Sequence, residues 1–281
     1  MGNFETKIKP EFREQGTNIS IDLEFLRHGD PGPEGLSIEG MEQARRYGKK
    51  LTERRTDLKK LYSSPILRAR QTRDIAFEQL SETEGKLGMP RDETILSYES
   101  IKTKLKFSWQ EHLRSLLPLN LGEQSEDEQQ KKKIEAETSA VERMFEDREY
   151  VREAASRIAY LVNKYIRMAD RLNSGSQIIL PKISHNSLLM SFLKETLYII
   201  DEEGKKVLGF DSPKDIGGVL APAESFSVKI KTDENGEKII DFSFSNQDRL
   251  KNGRYGLDVD KIKELAAEYE EAEGNFSRSE L

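Results

Sequence analysis

Two strand-to-helix units follow one another near the start of this chain, and their order constrains the fold strongly. Ile21 to Leu26 alternates and then stops at Arg27 and His28, which reads as a strand. Asp30 to Gly35 (DPGPEG) is loop, punctuated by prolines and glycines. Ser37 is placed to cap a helix in which Met41, Ala44, Gly48 and Leu51 recur at helical spacing. A second strand, Leu58 to Tyr62, leads to Ser64 as helix cap and Pro65 at the first helical position, with Ile66, Ala69, Ala76 and Leu80 on the stripe that follows. Strand, helix, strand, helix predicts parallel pairing, because parallel strands need a crossover.

Further along, residues 103–148 change character. "FSWQEHLRSLLPLN" is amphipathic, and "GEQSEDEQQKKKIEAETSAVERMFEDRE" is dense in charge with few apolar anchors, which predicts a solvated, helical insertion, with a lid over the site as the alternative. Tyr150 to Leu172 carries Val151, Ala155, Ile158, Val162, Tyr165 and Ala169 on one helical stripe. "QIILPKISHNSLLMSFLKETL" reads as a strand, a turn and a helix, with Pro181 implying a bulge or an interrupted edge. "SFSVKIKTDENGEKIIDFSF" predicts an antiparallel hairpin around Asn235-Gly236. The chain therefore divides into an N-terminal extension (1–20), a main domain (21–248, holding the insertion at about 103–148) and a charged, partly helical tail (249–281).

Composition narrows the partners. The net charge of −6 argues against a general nucleic-acid binder while leaving room for a local basic pocket. There is no cysteine, so a disulfide framework, a thiolate nucleophile and a cysteine metal site are excluded. No apolar run is long enough to span a membrane, and the first twenty residues lack the apolar stretch of a signal peptide, so a cytoplasmic protein with no membrane partner is expected. The opening MGNFET nominally fits a myristoylation pattern, which is short and common.

Three features fall at the carboxyl ends of predicted strands where helices begin: Arg27-His28, Arg68 and His185. Ligands bind in that crevice of an open parallel sheet. The chain has three histidines, at 28, 112 and 185, and two of them lie at such places. Arginines, imidazoles and helix N-terminal amides at one point make a pocket for a dianionic phosphate. Taken singly, a surface arginine is usually solvated and a lone histidine structural; their co-location is what points to function.

These residues resemble the histidine phosphatase superfamily, also called phosphoglycerate mutase-like. "FLRHGD" is similar to its Arg-His-Gly signature, "GLSIEGMEQARRYGKKL" to the helix that follows, "YSSPILRARQT" to its Ser-Ser-Pro-x-x-Arg-Ala-x-x-Thr segment, and "KISHNSLLMSFL" to its second-histidine motif. Order and spacing agree from about Ile21 to Asn246, with the insertion outside the resemblance.

The resemblance implies a three-layer α/β/α sandwich with a mostly parallel sheet ending in an antiparallel hairpin, and a phosphoryl-transfer site. His28 would correspond to the nucleophile that carries the phosphoryl group, while Arg27, Arg68 and His185 would hold its oxygens. A carboxyl group should protonate the leaving oxygen and later activate water; reading "ETILSYESIK" as the next strand and its exit makes Glu99 the candidate, with Glu93 and Glu111 behind it. Neither a metal nor another cofactor is implied, so chelators should leave activity untouched. The family's second histidine is commonly followed by glycine, and here Asn186 follows, which can cap the next helix. "DPGPEG" lacks the Trp and Asn usual in mutases, favouring hydrolysis. The expected substrate is a phosphorylated small molecule or phosphoprotein. The alternatives are a phosphoglycerate mutase-type phosphotransferase and a non-catalytic phosphate-binding or regulatory relative; oligomeric state is open.

Overall fold

The computed structural model describes residues 16–80, 86–117, 125–201, 203–249 and 254–279. In chain order the elements are β1 (Ser20–Arg27), the two-residue pair β2 (Pro31–Gly32) and β3 (Gly35–Leu36), α1 (Ile38–Thr52), β4 (Leu58–Ser63), α2 (Leu67–Glu78), β5 (Lys86–Asp92), α3 (Trp109–Leu116), α4 (Glu126–Phe145) and α5 (Arg148–Ala169). There follow β6 (Gln177–Ser184), α6 (Asn186–Thr196), β7 (Leu197–Ile200), β8 (Lys206–Leu208), β9 (Ser225–Thr232), β10 (Lys238–Phe244), β11 (Arg254–Leu257) and α7 (Val259–Ser279).

The main sheet runs β10-β9-β1-β6-β4-β5. β1, β6, β4 and β5 are mutually parallel, whereas β9 joins β1 antiparallel and β10 extends the hairpin outward. β1 is central, and its alternation sorts its side chains to two faces. Ile21, Leu23 and Phe25 enter one core with α5, α6 and α7, while Leu26 joins a smaller one with α1 and α2. Phe25 stacks on Phe226 at 5.3 Å between ring centres and meets Phe192 at 6.3 Å; fully burying a side chain of this kind contributes roughly 1.5–3 kcal/mol. Asp22 and Glu24 are also buried, and Arg54, just past α1, pairs with both. The molecule is thus an α/β/α sandwich on a mostly parallel sheet.

Several local readings are refined. Ser37 caps α1, accepting from the Gly40 amide at 3.0 Å. α2 begins at Leu67, later than Pro65, and Ser64 accepts instead from the Ile66 amide at 3.3 Å. Pro181 lies in central β6, not at an edge; β6 pairs continuously with β1, and its ladder to β4 lapses opposite Pro181, which has no N–H to donate. The loop between β9 and β10 is longer than two residues, because the Asp233 carboxylate gathers the Asn235 and Glu237 amides, each at 2.8 Å. The strand expected at "ETIL" lies earlier, at β5, an edge strand that tolerates Pro90, and Thr94–Leu96 form a 3₁₀ turn.

The insertion is less solvated than its charge implied: α4 buries Ala136, Ala140, Val141 and Met144. Its few apolar residues lie on one face, with charge filling the rest. α7 packs along α5 through buried Ile262, Leu265 and Ala266, and Arg152 on α5 pairs with Glu264 and Glu268. Among the described residues, no helix is long and apolar enough to cross a membrane.

Candidate active site

Parallel register brings the two histidines together. Arg27 at the end of β1 is level with Ser184 at the end of β6, so the residues that follow them, His28 and His185, emerge side by side. Their ring centres are 5.1 Å apart, and the His28 amide donates to the Ser184 carbonyl at 3.1 Å. Both rings are buried.

The hydrogen bonds of His28 fix its tautomer. Arg68, in the first turn of α2, places Nε 2.8 Å from His28 Nε2. A guanidinium nitrogen can only donate, so Nε2 carries the lone pair. The proton then resides on Nδ1, which lies 2.8 Å from the Gly29 carbonyl and donates to it. Burial, reinforced by Arg68 and Arg27, holds the His28 pKa well below the usual imidazole range. Burial lowers His185 similarly, helped by His28 and the same arginines. The site therefore holds two neutral imidazoles.

The loop after β1 is tied down from two sides. Thr72, the threonine of the "SSPILRARQT" segment, accepts from the Gly29 amide at 3.0 Å and donates to the Arg68 carbonyl at 2.8 Å, linking the helix that carries Arg68 to the loop that carries His28. Gly29 packs against Gly40 so closely that a Cβ on it would lie 2.5 Å from the Gly40 carbonyl oxygen. Ser64 meets His185 Nε2 at 2.9 Å, and His185 Nδ1 has no hydrogen-bond partner among the described residues. Tyr98 stands edge-on to His185, with ring centres 4.8 Å apart, and its hydroxyl accepts from Arg68 at 3.3 Å.

Arg27 is held differently. Its two terminal nitrogens donate to the two carboxylate oxygens of Glu137 on α4, each at 2.7 Å, and one also donates to the Leu220 carbonyl at 2.6 Å. Arg249 secures the strand-connecting loop behind this contact. All five of its N–H groups are used, on Glu224 and on the carbonyls of Ile216, Gly218 and Val219.

These groups open on a cavity of about 560 Å³ lined by Arg27, His28, Arg68, Tyr98, Glu99, Glu137, His185 and Asn186, and closed farther out by residues of the insertion. His28, Arg27, Arg68 and His185 thus converge, as co-location on strand ends predicts. Glu99 lines the cavity too, exposed and ion-paired to Lys102. Glu93 points elsewhere, bound at 2.8 Å to buried Lys182, and Glu111 does not line the cavity. Asn186 does not cap α6: the cap position is His185, and the buried Asn186 amide, without a partner among the described residues, faces the same cavity. Glu137 and Thr72 are not singled out by the sequence, and Ser64 reads there only as a helix cap. Thr72 and Ser64 stand inside a recognised motif and could have been found there; Glu137 carries no such signal.

Residues 23–86 match the family model described as the histidine phosphatase superfamily (branch 1). No curated protein matches the chain. Among solved structures, a mycobacterial hydrolase aligns over 85% of this chain and 97% of its own at 14% identity, with a TM-score of 0.39. A mycobacterial glucosyl-3-phosphoglycerate phosphatase aligns over 80% and 97% at 14% identity and a TM-score of 0.38, and a phytase from Klebsiella over 87% and 88% at 10% identity and a TM-score of 0.41.

Proposed function

We propose that this chain, a member of the histidine phosphatase superfamily, is a phosphohydrolase that removes the phosphoryl group of a phosphomonoester through an intermediate on His28. The observation that carries this reading is the state of His28: its Nε2 lone pair faces Arg68 at 2.8 Å while its Nδ1 proton is anchored on the Gly29 carbonyl. A neutral, oriented imidazole with a guanidinium at the attacking atom suits nucleophilic attack on a dianion.

In this scheme the substrate's phosphoryl group enters between His28 and Arg68, so that Arg68 exchanges a nitrogen acceptor for phosphoryl oxygens. Arg27 and His185 hold the remaining oxygens. His28 Nε2 forms a bond to phosphorus as the ester P–O bond breaks, and the leaving oxygen takes a proton from a carboxyl group. Water then attacks phosphorus, the P–N bond breaks and the same carboxylate receives the water's proton, releasing phosphate.

Glu99 is the proposed proton carrier. Glu99 and Glu137 are the carboxylates lining the cavity among the described residues. Arg27 holds both oxygens of Glu137, whereas Lys102 engages one oxygen of Glu99, so the other oxygen of Glu99 is the one assigned to move the proton. Hydrolysis of a generic aryl phosphate by the wild type, abolished in His28→Ala and lowered in kcat by Glu99→Gln, is the expected result. Full activity in His28→Ala would remove the mechanism.

A further inference from the structure

The cavity is larger than a phosphate needs, and its outer part has a distinct character. Leu105, Phe107, Trp109 and Leu113, from α3 and the segment before it, line one side of it, and Tyr98 and Tyr150 line it as well. Leu105, Phe107, Trp109 and Leu113 are half-buried, the first three packed against the main core while still lining the cavity. Trp109 is the only tryptophan of the chain. Its ring is stacked on that of Phe107 at 27° and 6.3 Å between centres, and Phe107 is also braced by Arg143 of α4, 4.7 Å from its ring centre, and edge-on by His112 at 5.6 Å. A wall braced in this way presents a fixed apolar surface to a ligand.

Charge restricts the ligand from the other side. Arg27, Arg68 and Lys102 face the cavity with Glu99 and Glu137, so cationic side chains exceed carboxylates there by one. With both imidazoles neutral, a single phosphate dianion nearly balances the site, whereas a second phosphoryl group would meet no unengaged cation: Arg68 and Arg27 are taken up by the first phosphoryl group, and Lys102 is paired with Glu99.

From these two observations, and resting on the phosphohydrolase reading, we infer that the substrate is a monophosphate ester of an apolar, aromatic-bodied alcohol, whose body packs on the Phe107 and Trp109 wall while its one phosphate meets His28 and Arg68. Sugar bisphosphates and other polyanions are disfavoured.

The test uses the full chain carrying His28→Ala, so that bound esters persist. Calorimetry with phenyl phosphate, glycerol 2-phosphate and inositol hexakisphosphate should give an affinity for phenyl phosphate at least about tenfold above that for the other two. Adding Trp109→Ala should cut the phenyl-to-glycerol affinity ratio about tenfold. Without the second substitution, Trp109 fluorescence should respond to saturating phenyl phosphate and much less to saturating glycerol 2-phosphate. Equal affinities, tighter binding of the hexakisphosphate, or a silent Trp109 would overturn the inference. Turnover by the wild type is scored separately: hydrolysis of neither monoester would defeat the phosphohydrolase reading, while the affinity ratio would still decide the character of the pocket.

Discussion

Glu137 of α4 grips Arg27 of β1 through both carboxylate oxygens, each arm 2.7 Å long, across 110 residues of sequence. The guanidinium face expected to receive phosphoryl oxygens is thus occupied by a carboxylate of the insertion. Substrate must either displace Glu137 or share Arg27 with it, and in both cases the carboxylate opposes an incoming dianion. Glu137→Gln keeps the shape and removes the charge. Inorganic phosphate should then bind about tenfold more tightly by calorimetry, since like charges a few ångström apart repel by more than 1 kcal/mol in a partly buried site. Weaker binding would mean that the ion pair is needed to aim Arg27.

The contact between Gly29 and Gly40 predicts a steric defect. A Cβ on Gly29 would come within 2.5 Å of the Gly40 carbonyl oxygen, and that oxygen is backbone at the start of α1 and cannot swing away. Gly29→Ala should cost about 1–3 kcal/mol in urea unfolding and should depress activity by displacing His28. A variant of wild-type stability would show that the loop has room to shift.

Arg249 offers a prediction remote from the chemistry. Because its five donors are all engaged beneath the loop that presents the Leu220 carbonyl to Arg27, Arg249→Lys leaves Glu224 with a poorer partner and strands several carbonyls. The expected loss is about 3 kcal/mol of stability, accompanied by a higher KM for phosphomonoesters. Unchanged unfolding would contradict the role given to this residue.

The paired imidazoles make stability depend on pH in a definite direction. In the folded protein both pKa values lie below the ordinary range, so between pH 7 and 5 the unfolded chain binds more protons than the folded one, and stability decreases as the pH is lowered. Each imidazole should cost about 1 kcal/mol between pH 6.5 and 5.5. Tm measured across that interval should drop less in a His185→Asn variant than in the wild type. For the same reason kcat/KM should show no inflection near 6.5 beyond the one set by the substrate phosphate's own second ionisation at about 6, because His28 stays unprotonated there.

How far the sequence reached can be traced through particular residues. Arg27, His28, Arg68 and His185 were readable because each sits where a strand with clear periodicity gives way to a helix, and parallel pairing stacks such ends together. Glu137 was not readable: it is one glutamate among many on α4, and only the docking of buried Ala136, Ala140 and Val141 brings it over Arg27. Pro181 suggested a bulge or an interrupted edge because its missing N–H was weighed without the neighbouring strand; β6 is central, and its ladder to β4 is interrupted opposite Pro181 with the register unchanged. The strand before Glu99 was misplaced because "ETIL" is apolar enough for a strand, yet β5 has already ended at Asp92 and a 3₁₀ turn intervenes.

The central claim is that His28 carries the phosphoryl group. The most direct measurement is rapid quenching of the enzyme after mixing with a ³²P-labelled aryl phosphate, followed by assay of the label's stability. The wild type should retain a protein-bound label that is lost in acid and kept in base, as a phosphoramidate on imidazole requires, and His28→Ala should retain none. A label of equal amount in His28→Ala, or one stable to acid, would contradict the account.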